Sequence, residues 1–381
     1  RKLFGGDRST TFLLLLSSCG KLSSCCLFIS PSKKLNIEET YMQRCFQLAR
    51  MGQGRVAPNP IVGAVLVYEN KIIGEGYHQR YGGPHAEVNC IESVMPGRRH
   101  LIPKSHLYVS LEPCAHFGKT PPCADLIIRN EIKKVTVGCL DPFAKVAGKG
   151  IEKLQDAGIE VALSLLNKEA LDLNKRFFTF HTKKRPYIIL KWAQTGDGKM
   201  AGKNGARLHI SNAFTNRLVH RWRSEEQGIL VGTDTALLDD PLLTTRLWPG
   251  ADPVRLVIDR NLRLTPTLKL FDKTAKTIVL NNQKGEEGEA ANFYKLAAGD
   301  NAVQPVCNAL VDLDIQSVLV EGGAALLQSF INEATWDEAR VITNNQLLIG
   351  EGLAAPQLKN AALISEEQVQ SDTISFYVKV N

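Results

Sequence analysis

His85-Ala86-Glu87, followed by Cys114 and Cys123 with a proline directly before each thiol, constrains this chain more than any other feature. One imidazole and two thiols make up the ligand set of a catalytic zinc centre whose fourth position stays open for water. The two thiolates and the neutral imidazole only partly offset the charge of the ion, which stays Lewis-acidic enough to activate water near neutral pH. A carboxylate that is not a ligand must then carry the proton, and Glu87 stands in the right place for it. Taken singly, each Cys or His reads as readily as a buried core residue. Taken together in this order, they read as ligands His85, Cys114 and Cys123. Any fold the chain adopts must bring these three separated positions to one point.

The spacing adds detail. The general zinc-deaminase signature ends P-C-x-x-C, whereas here eight residues, AHFGKTPP, separate Cys114 from Cys123. Pro121-Pro122 prevent that loop from being helical. Cys123 then opens a helix expected over Cys123 to Asn130, whose N-terminal dipole favours a thiolate. A purely structural zinc site normally uses four protein ligands. No fourth Cys or His stands at motif spacing, and His116 is the nearby residue that could complete such a set. Lys119, between the thiols, reads either as a cation for a substrate phosphate or as a solvated loop lysine.

The net charge of +7 invites a nucleic-acid partner. Residues 1–35, however, hold six basic residues against Asp7, a surplus of five, and leave the remaining 346 residues at +2. A body that near neutrality offers no broad field for tracking phosphates, and a base deaminase would need a basic, aromatic-lined approach. Neither a nucleic acid nor a membrane is the expected partner. No apolar run reaches the ~18 residues of a membrane span.

Residues 1–35 are basic and rich in Ser, Cys and Leu, with no amphipathic period. They read as a disordered or non-native tail, or else as a transit segment that would move the protein from the cytoplasm to an organelle. Of the nine cysteines, Cys45, Cys90, Cys139 and Cys307 lie in apolar segments and are expected as small buried hydrophobes in a reducing compartment.

From Asn36 onward the pattern alternates. A helix is expected over Glu38 to Met51, with apolar positions at Tyr41, Cys45, Leu48 and Ala49. Strands Ile61 to Tyr68 and Lys71 to Tyr77 form a hairpin across Glu69-Asn70. Pro84 is placed to start a helix carrying His85 and Glu87. Strand Leu107 to Leu111, strand Lys134 to Cys139, helix Gly148 to Ala157 and strand Ile159 to Ala162 imply a largely parallel sheet, with the ligands at helix starts and strand ends. The basic stretch Arg176 to Pro186 is the expected boundary between 36–183 and 184–381. A second α/β series follows, from strand Tyr187 to Ala193 through helix Ala213 to Glu226 to a last strand Thr373 to Val380. It holds no G-x-G-x-x-G opening a helix. Its nearest phosphate-binding candidate is Glu321-Gly322-Gly323 between a strand and a helix.

The run Glu112-Pro113-Cys114 to Cys123, with Asn59-Pro60-Ile61-Val62-Gly63, Gly76-Tyr77-His78 and Val146 to Gly150, resembles the bifunctional deaminase–reductase family of riboflavin biosynthesis. The likeness extends over about residues 37 to 381. It implies an α/β chain with an N-terminal cytidine-deaminase-like domain and a C-terminal dihydrofolate-reductase-like domain, using Zn²⁺ and NADPH. It implies further that Ala193, Thr235, Asp239 and Gly323 contact NADPH, while Arg223, Leu243, Arg246 and Glu321 contact substrate; the arginines suit a ribose phosphate. A homo-oligomer is expected. The chain departs from the family pattern at Arg207 and His209, before Ile210-Ser211, and at Phe143, after Asp141-Pro142.

Overall fold

The computed structural model describes residues 35–118, 121–142, 147–163, 165–297 and 303–380. The expectations for the N-terminal tail, Lys119 and Phe143 fall almost entirely outside them.

Helix α1 (Ile37–Arg50) starts one residue before the expected Glu38 because Asn36 and Glu39 cap each other reciprocally, each side chain accepting from the other's backbone N–H. Strands β1 (Gly63–Tyr68) and β2 (Lys71–Tyr77) pair antiparallel across Glu69 and Asn70, both at positive φ as a tight hairpin requires. Helix α2 (Ala86–Glu92), β3 (His106–Val109), α3 (Cys123–Arg129), β4 (Lys134–Val137), α4 (Lys149–Asp156) and β5 (Glu160–Leu163) follow. The sheet order is β2-β1-β3-β4-β5. Only β3-β4-β5 are parallel, and β1 runs antiparallel to β3, so the sheet is mixed rather than largely parallel. Strand alternation divides the apolar residues. Val65 and Val67 pack with α1 through Met42 and Phe46, while Ala64 and Leu66 pack with α2 and α3 through Cys90 and Ile127. Each such side chain, fully buried, stabilises the fold by about 1.5–3 kcal/mol.

The stretch Arg176 to Pro186, where the boundary is expected, is largely helical. Helix α5 (Asn167–Leu173) precedes it, and α6 (Lys175–Lys183) runs through most of it, with Phe177 and Phe180 buried. Its basic residues pair with acidic partners beyond it: Arg176 with Glu226, and Lys175 with Glu338 at 3.2 Å.

The second sheet is built from β6 (Tyr187–Thr195), β8 (Gly228–Gly232), β9 (Val254–Ile258), β10 (Thr277–Asn281), β11 (Asn292–Lys295), β12 (Ser317–Glu321), β13 (Glu338–Asn344), β15 (Ala361–Val369) and β16 (Asp372–Lys379). A small pair, β7 (Lys199–Ala201) and β14 (Leu353–Ala354), stands apart. The order β11-β10-β9-β8-β12-β6-β13-β16-β15 is parallel from β11 to β13 and antiparallel beyond. Helices α9 (Gln304–Asp312) and α10 (Ala324–Asn332) cover Ile188 and Leu190 on one face, and α7 (Ala213–Glu225) covers Tyr187 and Ile189 on the other. Helix α8 (Thr233–Asp239) follows β8 directly. Among the described residues no helix is long and apolar enough to cross a membrane.

Candidate active sites

His85 is the N-cap of α2 rather than a residue inside it, and Pro84 lies outside the helix. Cys123 is the first residue of α3, and Cys114 follows the end of β3. The Cys123 N–H donates to Cys114 Sγ at 3.4 Å, so the start of α3 faces that sulfur.

His85 Nδ1 lies 3.6 Å from Cys114 Sγ and 3.3 Å from Cys123 Sγ. Tetrahedral zinc with ordinary Zn–S and Zn–N bonds requires an S···N separation of about 3.5 Å, so the donor set fits that ion. Among the described residues the metal-ligand cluster contains just these three side chains, while His116 is exposed at the cavity rim. The arrangement is that of an open, catalytic centre rather than a closed structural one. The Cys123 thiol holds the Cys114 sulfur as a thiolate down to about 4, with further help from His85. Cys123 moves well upward because its bond to that thiolate, and then its burial, keep its proton on. Glu87 is buried, and the loss of water around it raises its carboxyl above the usual range. That is the shift a carboxyl needs to pick up and return a proton near neutral pH.

Residues that reading by motif did not assign to the site complete it. His78 donates from Nδ1 to the Pro84 carbonyl at 2.9 Å and accepts at Nε2 from Asn59 at 3.1 Å. Burial lowers the pKa of His78, in keeping with this neutral tautomer. Asn89 also donates to the Pro84 carbonyl, at 3.3 Å, so the peptide preceding His85 is held from two directions. The buried Glu112 carboxylate accepts from the N–H groups of Asp141, Gly148 and Gly150 at 3.0–3.3 Å, tying a distant loop to the Cys114 strand end. Asn59, His78 and Glu112 all stand in the motifs quoted above; their hydrogen bonds had no sequence signal. A cavity of about 370 Å³ joins Asn59, His85, Glu87 and Cys114 to Phe177 of α6 and Gln316 beside β12.

In the second half, Thr235 and Gly323 meet beyond the carboxyl ends of β8 and β12, where open α/β sheets bind ligands. Gly322 and Gly323 have φ of +138° and +54°, and a Cβ on Gly322 would fall 2.9 Å from Thr235 Cγ2. The two glycines therefore let α8 approach the start of α10, where Gly323 caps the helix without a side chain. Backbone N–H groups in such a turn fit a phosphate. Ala193 lies toward the end of β6, and Asp239 ends α8, where the exposed Arg207 reaches its carbonyl at 3.4 Å. His209, like Arg207, is exposed.

The substrate-side residues meet in a charged cluster. Arg223 grips Glu321 with two 2.9 Å hydrogen bonds, and Lys191, unassigned from sequence, reaches the same carboxylate at 3.4 Å. Burial alone would raise the Glu321 pKa, but the two cations outweigh it and hold the carboxyl at about 2. Arg223 Nη1 also donates to the Thr244 carbonyl, and Arg246 donates to the Thr244 hydroxyl. The Arg246 N–H donates to His220 Nδ1 at 2.8 Å, and burial followed by the repulsion of Arg223 and Arg246 keeps that imidazole neutral, with a pKa of about 4. Leu243, buried, enters this loop at a φ of +55°, a left-handed conformation that costs a branched residue on the order of 1 kcal/mol.

Residues 35–139 match the family described as the cytidine and deoxycytidylate deaminase zinc-binding region, and residues 186–373 match the RibD C-terminal domain. The chain is 41% identical over 327 residues to the riboflavin biosynthesis protein RibD of Aquifex aeolicus, covering 84% of this chain and 90% of that one. It is 34% identical over 328 residues to RibD of Escherichia coli, covering 82% and 88%. The crystal structure of a diaminohydroxyphosphoribosylaminopyrimidine deaminase/5-amino-6-(5-phosphoribosylamino)uracil reductase from Thermotoga maritima superposes with a TM-score of 0.82 at 37% identity, covering 90% of this chain and 99% of that one. With its mixed N-terminal sheet carrying a zinc-type ligand set and its C-terminal sheet of reductase fold, the chain belongs to the RibD family of riboflavin biosynthesis enzymes, which join a deaminase domain to a reductase domain.

Proposed function

We propose that the chain carries out two consecutive steps. It removes ammonia from 2,5-diamino-6-(5-phosphoribosylamino)pyrimidin-4(3H)-one, then reduces the ribosyl side chain of the resulting 5-amino-6-(5-phosphoribosylamino)uracil to ribityl. The observation that carries this reading is the meeting of His85, Cys114, Cys123 and the buried Glu87 in one cavity. His85, Cys114 and Cys123 hold zinc, which supplies the Lewis acidity that activates water near neutral pH. Glu87 takes a proton from the attacking water and returns it to the leaving amine, so water and C–NH₂ become C=O and ammonia. Asn59 and His78 orient the substrate and the ligand loop.

In the C-terminal domain NADPH supplies the hydride delivered to C1′ of the ribose. Gly323 and Thr235 seat a cofactor phosphate, with Ala193 and Asp239 alongside. Arg246 meets the substrate phosphate, while Leu243, Arg223 and Glu321 shape the pocket. Lys119 is a further candidate for phosphate contact on the deaminase side. The division of labour follows 36–183 and 184–381. The buried thiols and the bacterial relatives support a cytoplasmic protein. The reading includes self-association, which analytical ultracentrifugation tests.

The decisive experiment supplies the diaminopyrimidinone phosphate with and without NADPH and identifies products by mass. The expected products are one in which oxygen replaces NH and, with NADPH, one that also gains two hydrogens. Unchanged substrate in the presence of stoichiometric zinc removes the reading.

A further inference from the structure

The deaminase cavity is not enclosed by the deaminase domain alone. Gln316, buried in the turn that leads into β12 of the reductase sheet, donates from Nε2 to the carbonyl of Pro58 at 2.7 Å. The reductase sheet fixes Gln316 in turn. Its N–H donates to Gln227 Oε1 at 2.6 Å, and its carbonyl accepts from the Tyr187 N–H at 2.8 Å. A second contact seats the same loop: Gly54, at a φ of +77°, lies so close to the C-terminal part of α7 that a Cβ there would fall 2.1 Å from the Ser224 carbonyl.

Pro58 directly precedes Asn59, which donates to His78, and His78 donates to the carbonyl of Pro84 beside ligand His85. One relay thus runs from the reductase sheet through Gln316, the Pro58-Asn59 segment and His78 to the Pro84 carbonyl that precedes His85. We propose that Gln316, a residue of the reductase domain, is a positioning residue for deamination. It sets the height of Asn59 in the cavity, so the reductase domain completes the pyrimidine-binding wall of the other active site. The proposal rests on the deaminase reading above.

Gln316→Met in the full chain keeps most of the side-chain volume and removes the donor. With wild type measured in parallel, the variant is expected to raise KM for the diaminopyrimidinone phosphate about tenfold, the upper factor for loss of one hydrogen bond. Its kcat, zinc content and NADPH-dependent reduction of the deaminated compound stay near wild type. A merely structural role would lower the active fraction, and so kcat, with KM unchanged. A double-mutant cycle with Asn59→Ala should show no further loss from the second substitution, because both act at one point. Unchanged KM in Gln316→Met, or additive losses in the cycle, overturns the proposal. Gln316→Glu, which also lacks the donor when ionised, repeats the test if the Met variant does not fold. Loss of fold in both variants would make Gln316 structural and equally overturn it. A wild-type chain that does not deaminate at all instead refutes the deaminase reading.

Discussion

Glu87, in the first turn of α2, and Glu321, the last residue of β12, are both buried carboxylates, and their environments drive them in opposite directions. Glu87 has lost its water, and that loss outweighs the pull of the nearby His85, so its pKa rises. Glu321 has lost its water as well, but Arg223 and Lys191 more than replace it, and its pKa falls to about 2. Burial alone favours the neutral acid; a cation within hydrogen-bond reach reverses that. One domain therefore holds a carboxyl suited to moving a proton, and the other holds a permanent anion suited to fixing an arginine. Neither role is a property of glutamate as such.

The largest expected effect tests the metal side of the comparison. Cys114→Ala or Cys123→Ala should abolish zinc binding and deamination together, since three protein ligands leave none to spare. Near-stoichiometric zinc with intact deamination in either variant would remove the ligand assignment. Next, Glu87→Gln should keep the metal and lower the deamination kcat by about 10²–10⁴-fold. The reductase, supplied with the deaminated ribosyl compound, should continue to consume NADPH. Loss of both reactions in a folded Glu87→Gln chain would break the separation of the two sites.

Glu321→Gln probes the opposite case. It leaves Arg223 and Lys191 buried without their anion, which costs about 3–5 kcal/mol of stability. The effect should depend on pH. The folded pKa of Glu321, about 2, lies below the ordinary 4.5, so its ionisation stabilises the fold fully above pH 4.5, and that contribution is lost as the pH falls toward 2. The span corresponds to on the order of 3 kcal/mol. Wild type should thus lose melting temperature steeply between those pH values, and Glu321→Gln less so; equal slopes would show that the cations do not hold the carboxylate. The smallest effect is expected for Asp239→Asn, which should weaken NADPH turnover about tenfold, as loss of one charged hydrogen bond does. Ammonia release should persist, and its loss would mean that the sites are not separable.

The hairpin at Glu69-Asn70 and the start of α3 at Cys123 were legible because each depends on a few adjacent residues. The antiparallel pairing of β1 with β3 was not legible, because an apolar run buried on both faces carries no sign of its partner's direction. The ion pairs of helix α6 were not legible for a related reason. Its lysine and arginine look solvated until Glu226 and Glu338, more than forty residues away in sequence, close over them.

By itself, the sequence determined the chemistry available to this protein. Imidazole, thiols and carboxyl at motif spacing specify a zinc site because only those atoms have the softness, charge and proton affinity that the ion and its water require. The α/β periodicity and the paired glycines likewise pointed to sheet-end sites. Tertiary structure alone decided how those groups are tuned and shared: which carboxylate keeps its proton, that Lys191 joins Arg223 on Glu321, and that Gln316 reaches Pro58 across the domain interface. The physical reason is range. Ligand identity is carried by single side chains, whereas desolvation, charge pairing and hydrogen-bond relays depend on atoms brought together from remote parts of the chain.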